Sequence, residues 1–219
     1  MNPGFVNVFA DRDGDVVVDN DANQASLAEH ASGAGAGVRA YATLLSGERF
    51  GAVVVVDGRL LRGPRGAVGE LRVLELVVGV DSPFGLAHQA RVELARAADE
   101  GRLAGMLAAC PSGEPEARHV FAAAEKDDPL ALEIVDVPAR RLAPVAMLLS
   151  GMLDLERIII AGAIAPAISP VLKRTRELMG RDSTLSWAEL VASENGDGVV
   201  LLGALHSAIT LVRAGAFAD

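Results

Sequence analysis

The sequence predicts an α/β fold, in which a mixed sheet is flanked by helices. Two observations lead to this prediction. Apolar runs typical of buried strands alternate with segments of helical periodicity, and two neighbouring β-rich runs are joined through residues 46–49, the second run containing an Asp-Gly turn signal. The chain has 219 residues, of which 51% are hydrophobic, so it is long enough to bury a sizeable core.

The first half of the chain predicts mainly strands. Residues 15–19 are an apolar run expected to be a short buried strand, with a helix directly after it. Residues 38–45 and 50–63 are β-rich, and Asp57-Gly58 is a turn signal typical of a hairpin.

The second half predicts helices that alternate with strands. Ser82 and Pro83 indicate a helix start, because serine caps helices and proline suits their first turn. A long helix is expected from Asp128, with a kink or break at Pro138 and Pro144, since each interior proline costs about 3 kcal/mol. The other expected elements are a helix over 115–125, a parallel strand over 156–162 covered on both faces, a helix over 164–179, a strand over 185–194, and a helix over 197–213 in which Gly203 and Ala204 permit close packing.

Charge and cysteine content exclude several classes of protein. The net charge of −9 argues against direct contact with nucleic acid, which requires a basic surface. The single cysteine, Cys110, excludes an internal disulfide framework and suits the reduced cytoplasm. The first residues lack the basic and apolar regions of a secretory signal. Uncharged runs, including residues 198–212, are shorter than the roughly 18 residues of a membrane span and are expected in the core.

Asn20 and Asp21 stand where the first expected strand meets a helix. Both residue types favour helix N-caps, so capping is one interpretation of the pair. A calcium-binding loop is excluded, because Gln24 stands where glycine is required and His30 where glutamate is required.

Four stretches in order carry a resemblance to a known family. They are DNDANQASLAE at 19–29, VVVVDGRLLRGPRGAVGEL at 53–71, ERIIIAGAIAPAISPVL at 156–172 and GDGVVLLGALHSAI at 196–209. Together they resemble the ROK family of bacterial sugar kinases and sugar-responsive transcriptional repressors, and its regulators most of all. The resemblance covers about residues 15–213 and implies an actin-like ATPase (ribonuclease H-like) fold.

The resemblance also implies a domain organisation. Family members carry an additional N-terminal lobe with a glycine-rich phosphate loop, and repressors place a winged helix-turn-helix before it. Residues 1–219 are therefore expected to form a single C-terminal lobe, without the phosphate-loop lobe or the helix-turn-helix.

The resemblance implies roles for three residues. The aspartate matching Asp21 is the general base that activates a sugar hydroxyl, and the residues matching Asn20 and Glu70 bind the sugar. A base must lie within hydrogen-bond reach of the hydroxyl, which the rigid end of a strand provides. The alternative for Glu70 is a solvated turn residue.

The residues that match the family's nucleotide site depart from its pattern. Gly47 and Gly51 remain in the loop between the two β-rich runs, but Arg49 replaces the middle glycine and blocks close backbone approach. Glu48 adds a negative charge near any phosphate. Relatives carry a pair of glycines beside the adenosine of the bound nucleotide, and in this chain only Gly162 of that pair is present. A degraded nucleotide site is expected, and plain turns are the alternative for both segments.

No metal site is expected. The family's zinc-binding cysteines are absent, and Arg72-Val73 stand where relatives carry Gly-His. His88, His119 and His206 have no spacing partner and are expected to be packing or surface residues.

These observations favour the sugar-effector-binding and dimerisation lobe of a ROK-type transcriptional regulator, catalytically incompetent alone and without a cofactor. The alternative is an ATP-dependent sugar kinase, or a fragment of one, that phosphorylates a hexose hydroxyl with ATP-Mg. A third interpretation is a remnant lobe kept for oligomerisation. The expected partners are a small-molecule sugar and a second copy of the chain, with no direct nucleic-acid or membrane contact.

Overall fold

A single mixed sheet forms the centre of the protein. The computed structural model describes residues 16–64, 68–108, 116–180 and 186–216, together with Gly4. The strands are β1 (Ala40–Ser46), β2 (Phe50–Val56), β3 (Arg59–Leu60), β4 (Arg157–Ala161) and β5 (Glu189–Ala192). They lie in the order β3-β2-β1-β4-β5. The β1–β2 and β2–β3 pairs are antiparallel, whereas β4 runs parallel to β1 and β5. The predicted mixed sheet is confirmed.

Helices cover both faces of the sheet. They are α1 (Asp21–Ser32), α2 (Leu86–Asp99), α3 (Gly105–Ala108), α4 (Ala117–Ala124), α5 (Pro129–Leu153), α6 (Ser169–Met179) and α7 (Val199–Ala216), with short 3-10 helices at Leu71–Leu76, Ala165–Ala167 and Gly196–Gly198. α1 packs on one face of the sheet, and α7 packs on α1. α2, α4, α5 and α6 share the main core with the other face.

Alternation along β1 divides its side chains between the two faces. Ala42 and Leu44 belong to the main core, whereas Tyr41 and Thr43 point toward α1. The Tyr41 hydroxyl donates to the Ser26 carbonyl at 3.3 Å, and burial raises the pKa of Tyr41 to about 12. These contacts fix α1 on the sheet.

Two local predictions are confirmed in detail. Asp57 and Gly58 have φ angles of 49° and 73°, the left-handed pair that a type I′ hairpin turn between β2 and β3 requires. Ile158, Ile159 and Ile160 of β4 are fully buried, as expected for a parallel strand covered on both faces.

The long helix α5 contradicts the expected break. It continues from Pro129 to Leu153 with Pro138 and Pro144 inside it. Pro138 itself is buried, and the helix is packed against α2, α4 and α6. Tertiary packing therefore offsets the local cost of both prolines.

Two other boundaries differ from the prediction. Residues 16–19 form no strand, and Val17 is 63% exposed; Asp15, the first residue of the expected strand, lies outside the described residues. α2 begins at Leu86 rather than near Ser82, because the Leu86 N–H donates to the Ser46 hydroxyl of β1 at 2.9 Å.

The helix α7 is largely exposed, so its expected place in the core is wrong. Leu201 is 76% and Val212 72% exposed. Gly203 packs directly on the Gln24 carbonyl of α1, whereas Ala204 faces outward. Among the described residues, one segment, Gly196–Gly215, is long and apolar enough to span a membrane, judged by length and composition alone. It has 20 residues and a mean hydropathy of 1.5.

Candidate functional site

Asn20 and Asp21 lie at the start of α1. Asn20 has an extended backbone, and its side-chain oxygen accepts a hydrogen bond from the Ala22 N–H at 2.8 Å, so it is the N-cap. Asp21 is the first residue of the helix, where the helix dipole favours a negative charge. Its side chain is exposed. Asp21 Oδ1 accepts from the same Ala22 N–H at 2.8 Å. Asn20 therefore caps the helix, while the exposed Asp21 carboxylate keeps Oδ2 for a ligand.

A cavity of about 490 Å³ lies beside these two residues. It is bounded by the start of α1, the β1–β2 turn and the segment that returns toward β2 after β3. Five of the predicted site residues line it, namely Asn20, Asp21, Gly47, Gly51 and Glu70, together with Glu48 and Arg49 of the β1–β2 turn. Glu70 also pairs with Gly51 through an isolated β-bridge, which joins two walls of the cavity.

Gly69 sets the position of Glu70. Its φ of +87° is left-handed, and a Cβ on this residue would lie 1.7 Å from the Ala52 carbonyl oxygen, so only glycine fits. The Ala52 N–H donates to the Gly69 carbonyl at 3.2 Å. The Glu70 side chain is exposed and, within the described residues, has no hydrogen-bonding partner. Its carboxylate is thus available to accept hydrogen bonds.

The β1–β2 turn is docked on α2. Glu48 pairs with Arg91, and its second oxygen lies 3.3 Å from His88 Nδ1. Arg91, followed by His88, holds the pKa of the Glu48 carboxyl below its usual value. Arg49 lies over the Phe84 ring, 5.6 Å from its centroid, and Phe84 stacks on His88. The turn therefore has fixed partners on α2.

Gly162 lines a second cleft of about 770 Å³, which shares Leu45, Gly47 and Glu48 with the first cavity. Its φ of +108° requires glycine at this strand-to-helix turn. The cleft is also lined by three carboxylates and two guanidinium groups, those of Glu48, Glu116, Asp197, Arg91 and Arg118. Arg118 pairs with Glu116 at 3.3 Å, as Arg91 does with Glu48.

Histidines and acidic residues form no metal cluster within the part of the chain that the structure describes. His88 stacks on Phe84, and His119 accepts from the Glu116 N–H at 2.9 Å at the start of α4. His206 is half-buried on α7. Cys110 lies outside the described residues.

The sequence prediction missed three polar residues around the cavity. Asn23 lines it, and Asp19 holds both Asn23 and Arg62. Asp19 and Asn23 are four residues apart, and this spacing brings two side chains together at the start of a helix. The spacing could have indicated their contact from the sequence. No local signal links Arg62 to Asp19.

Comparison with known proteins identifies relatives of this chain. Residues 6–75 match the model of the ROK family. A glucokinase of Halalkalibacterium halodurans is 31% identical over 176 residues, which cover 74% of this chain and 53% of the relative. The chain therefore spans about half the length of this relative.

Solved structures share the fold. A ROK family glucokinase from Streptomyces griseus in complex with glucose and AMPPNP has a TM-score of 0.76 at 24% identity, over 90% of this chain and 69% of that one. A ROK family transcriptional regulator, a homolog of the E. coli MLC protein, has a TM-score of 0.67 at 24% identity, over 94% and 56%. The fold is the actin-like ATPase fold expected from the sequence.

Proposed function

Because the chain belongs to the ROK family over the part that it shares with these relatives, we propose that it binds a sugar in the cavity beside α1. Asn20, Asp21 and Glu70 hold the sugar hydroxyls. The observation that carries the proposal is that all three residues line one cavity. Carboxylate and amide groups accept and donate the hydrogen bonds that hydroxyls need, and few polar groups in a concave site suffice to orient a small ligand.

We further propose that the chain works as the sugar-sensing and dimerisation lobe of a cytoplasmic transcriptional regulator, and that it forms a single C-terminal lobe. The cleft beside Gly162 supports a role without ATP. Both arginines that line this cleft are paired with glutamates, and Asp197 adds a further negative charge, so its described residues do not fit a triphosphate. Sugar binding alone needs none of the residues that line this cleft beside Gly162.

The second candidate is an ATP-dependent sugar kinase, favoured by the glucokinase relative. In that role Asp21 is the general base that takes the proton from the attacking sugar hydroxyl. Phosphoryl transfer depends almost entirely on positioning and electrostatic stabilisation. The phosphate-binding groups would then have to come from elsewhere than the cleft beside Gly162.

A ligand panel separates the two candidates. Calorimetry and thermal-shift measurements with glucose, N-acetylglucosamine, xylose and ATP-Mg are expected to detect a sugar and not the nucleotide. ATP-dependent formation of a sugar phosphate would favour the kinase. The absence of any sugar response would overturn the proposed sugar site and leave a lobe that serves oligomerisation.

A further inference from the structure

Asp19 lies directly before the residues that line the cavity and collects several donors. Its carboxylate accepts from the Asn20 N–H at 2.8 Å and from the Asn23 Nδ2 at 2.6 Å, and the Gln24 amide lies at 3.5 Å. Its side chain is 18% exposed. Asp19 therefore organises the start of α1 from behind the cavity wall rather than contacting a ligand.

Arg62 reaches Asp19 from the segment that follows β3. Its Nη2 lies 3.3 Å from Asp19 Oδ2. Arg62 follows β3 on the segment that leads to Gly69 and Glu70. The ion pair thus links the start of α1 to the part of the chain that carries the opposite side of the cavity.

We infer that Asp19 and Arg62 are positioning residues of the sugar site, and that Asn23 is a further sugar-binding residue. The inference rests on the proposed function. The ion pair sets the spacing between the wall of Asn20 and Asp21 and the wall of Glu70. Asp19 also orients Asn23: with Nδ2 committed to Asp19, the side-chain oxygen of Asn23 remains as an acceptor for a sugar hydroxyl.

The salt dependence of binding tests the ion pair. Glucose is neutral, so its direct hydrogen bonds respond weakly to ionic strength, whereas an exposed ion pair is screened. The Arg62 side chain is 63% exposed. We expect the affinity for glucose to fall about twofold to fivefold between low salt and about 1 M sodium chloride, a factor typical of such pairs. N-acetylglucosamine or xylose replaces glucose if either binds more tightly.

Variants assign this effect to the pair. Arg62→Gln should lower the sugar affinity by the same factor at low salt and abolish its salt dependence. Arg62→Lys keeps the charge and should restore most of the affinity and most of the salt dependence. Arg59→Gln is the matched control: it removes the same charge from an exposed arginine of β3 that has no ion pair within the described residues. Asp19→Asn should lower the affinity on the order of tenfold, because Asp19 also holds Asn23.

Asn23→Ala should lower the affinity on the order of tenfold without changing the salt dependence. The inference is overturned if wild-type affinity is independent of salt, or if Arg62→Gln binds as Arg59→Gln does. A wild-type protein that binds none of the three sugars would overturn the proposed function as well, which separates the two failures.

Discussion

Asn20 and Asp21 are neighbours, but they contribute differently at the start of α1. Asn20 caps the helix, so Asn20→Ala should lower the free energy of unfolding by about 1 kcal/mol. Because Asn20 also lines the cavity, Asn20→Ala should weaken sugar binding as well. Asp21→Asn should lower sugar affinity on the order of tenfold, since the acceptor loses its charge, with little change in stability. Sugar titration measures the change in affinity, and urea denaturation measures the change in the free energy of unfolding. Unchanged sugar binding by Asp21→Asn would contradict the assignment.

Glu29 is a buried carboxylate that the sequence did not single out. It accepts hydrogen bonds from the Ala34 N–H at 2.8 Å, the Ser193 hydroxyl at 2.5 Å and the Asn195 amide at 2.8 Å. Glu29→Gln places an amide NH₂ against these donors and should lower the free energy of unfolding by about 2–4 kcal/mol. Chemical denaturation measures this loss.

The matched control is Glu75→Gln, at an exposed glutamate with a loose 3.8 Å ion pair to Arg72, and we expect it to change stability by less than about 0.5 kcal/mol. Equal effects at the two positions would mean that the Glu29 network adds no stability.

Among the elements, the sequence indicated which residues would share a cavity but not the contacts that support them. Asn20, Asp21 and Glu70 were selected through the resemblance to the ROK family, and the structure places all three around one cavity; their role in sugar binding stays a prediction. Arg62 reaches Asp19 only because the β2–β3 hairpin folds back toward α1, and no periodicity encodes that contact. The Ser46 hydroxyl replaces the expected Ser82 cap of α2 for the same reason, since it comes from another element.

Element boundaries were predictable where local chemistry decides them. The type I′ turn at Asp57 and Gly58 needs two left-handed residues, which only a few residue types supply. The continuity of α5 through Pro144 depends instead on packing against neighbouring helices, which a local reading of proline misses.

The contact between α1 and α7 depends on Gly203. A Cβ at this position would lie 1.7 Å from the Gln24 carbonyl oxygen, so Gly203→Ala must displace α7 and should cost about 1–3 kcal/mol of unfolding free energy. Gly215→Ala in the same helix meets open space and should raise stability by about 0.5–1 kcal/mol. Thermal or chemical denaturation of both variants checks the contrast. A loss of stability with Gly215→Ala, or none with Gly203→Ala, would contradict this packing.

Asp136 joins α5 to α6. Burial raises its pKa, but hydrogen bonds from Arg140 and Arg174 outweigh burial and hold the pKa below the usual aspartate value. A depressed folded pKa means that the contribution is present above the unfolded pKa and is lost as pH falls through the folded value. The free energy of unfolding should therefore decline below about pH 4, and less steeply in Asp136→Asn.

Acid denaturation curves check this prediction. Asp99→Asn serves as control, because Asp99 is exposed and has no ion pair within the described residues. Identical acid profiles for wild type and Asp136→Asn would show that the α5–α6 link has no effect on stability.

In the molecule as a whole, helix α7 exposes many large apolar side chains to solvent. Its large exposed side chains are Leu201, Leu202, Leu205, Ile209, Leu211 and Val212. Surfaces of this kind mark association sites in proteins, and we predict a homodimer that buries α7. Leu201→Glu with Leu205→Glu should shift the protein toward monomer in sedimentation equilibrium, whereas Leu132→Glu, at an exposed leucine of α5, should not. A wild-type monomer at all concentrations would contradict the prediction.

The proposed function depends on joint binding of a sugar by Asn20, Asp21 and Glu70. A crystal structure at saturating sugar concentration tests it most directly. We expect the sugar to occupy the cavity of about 490 Å³, with its hydroxyl groups within hydrogen-bond distance of all three side chains. A sugar bound in the cleft beside Gly162, or a cavity that stays free of sugar while calorimetry detects binding, would contradict it.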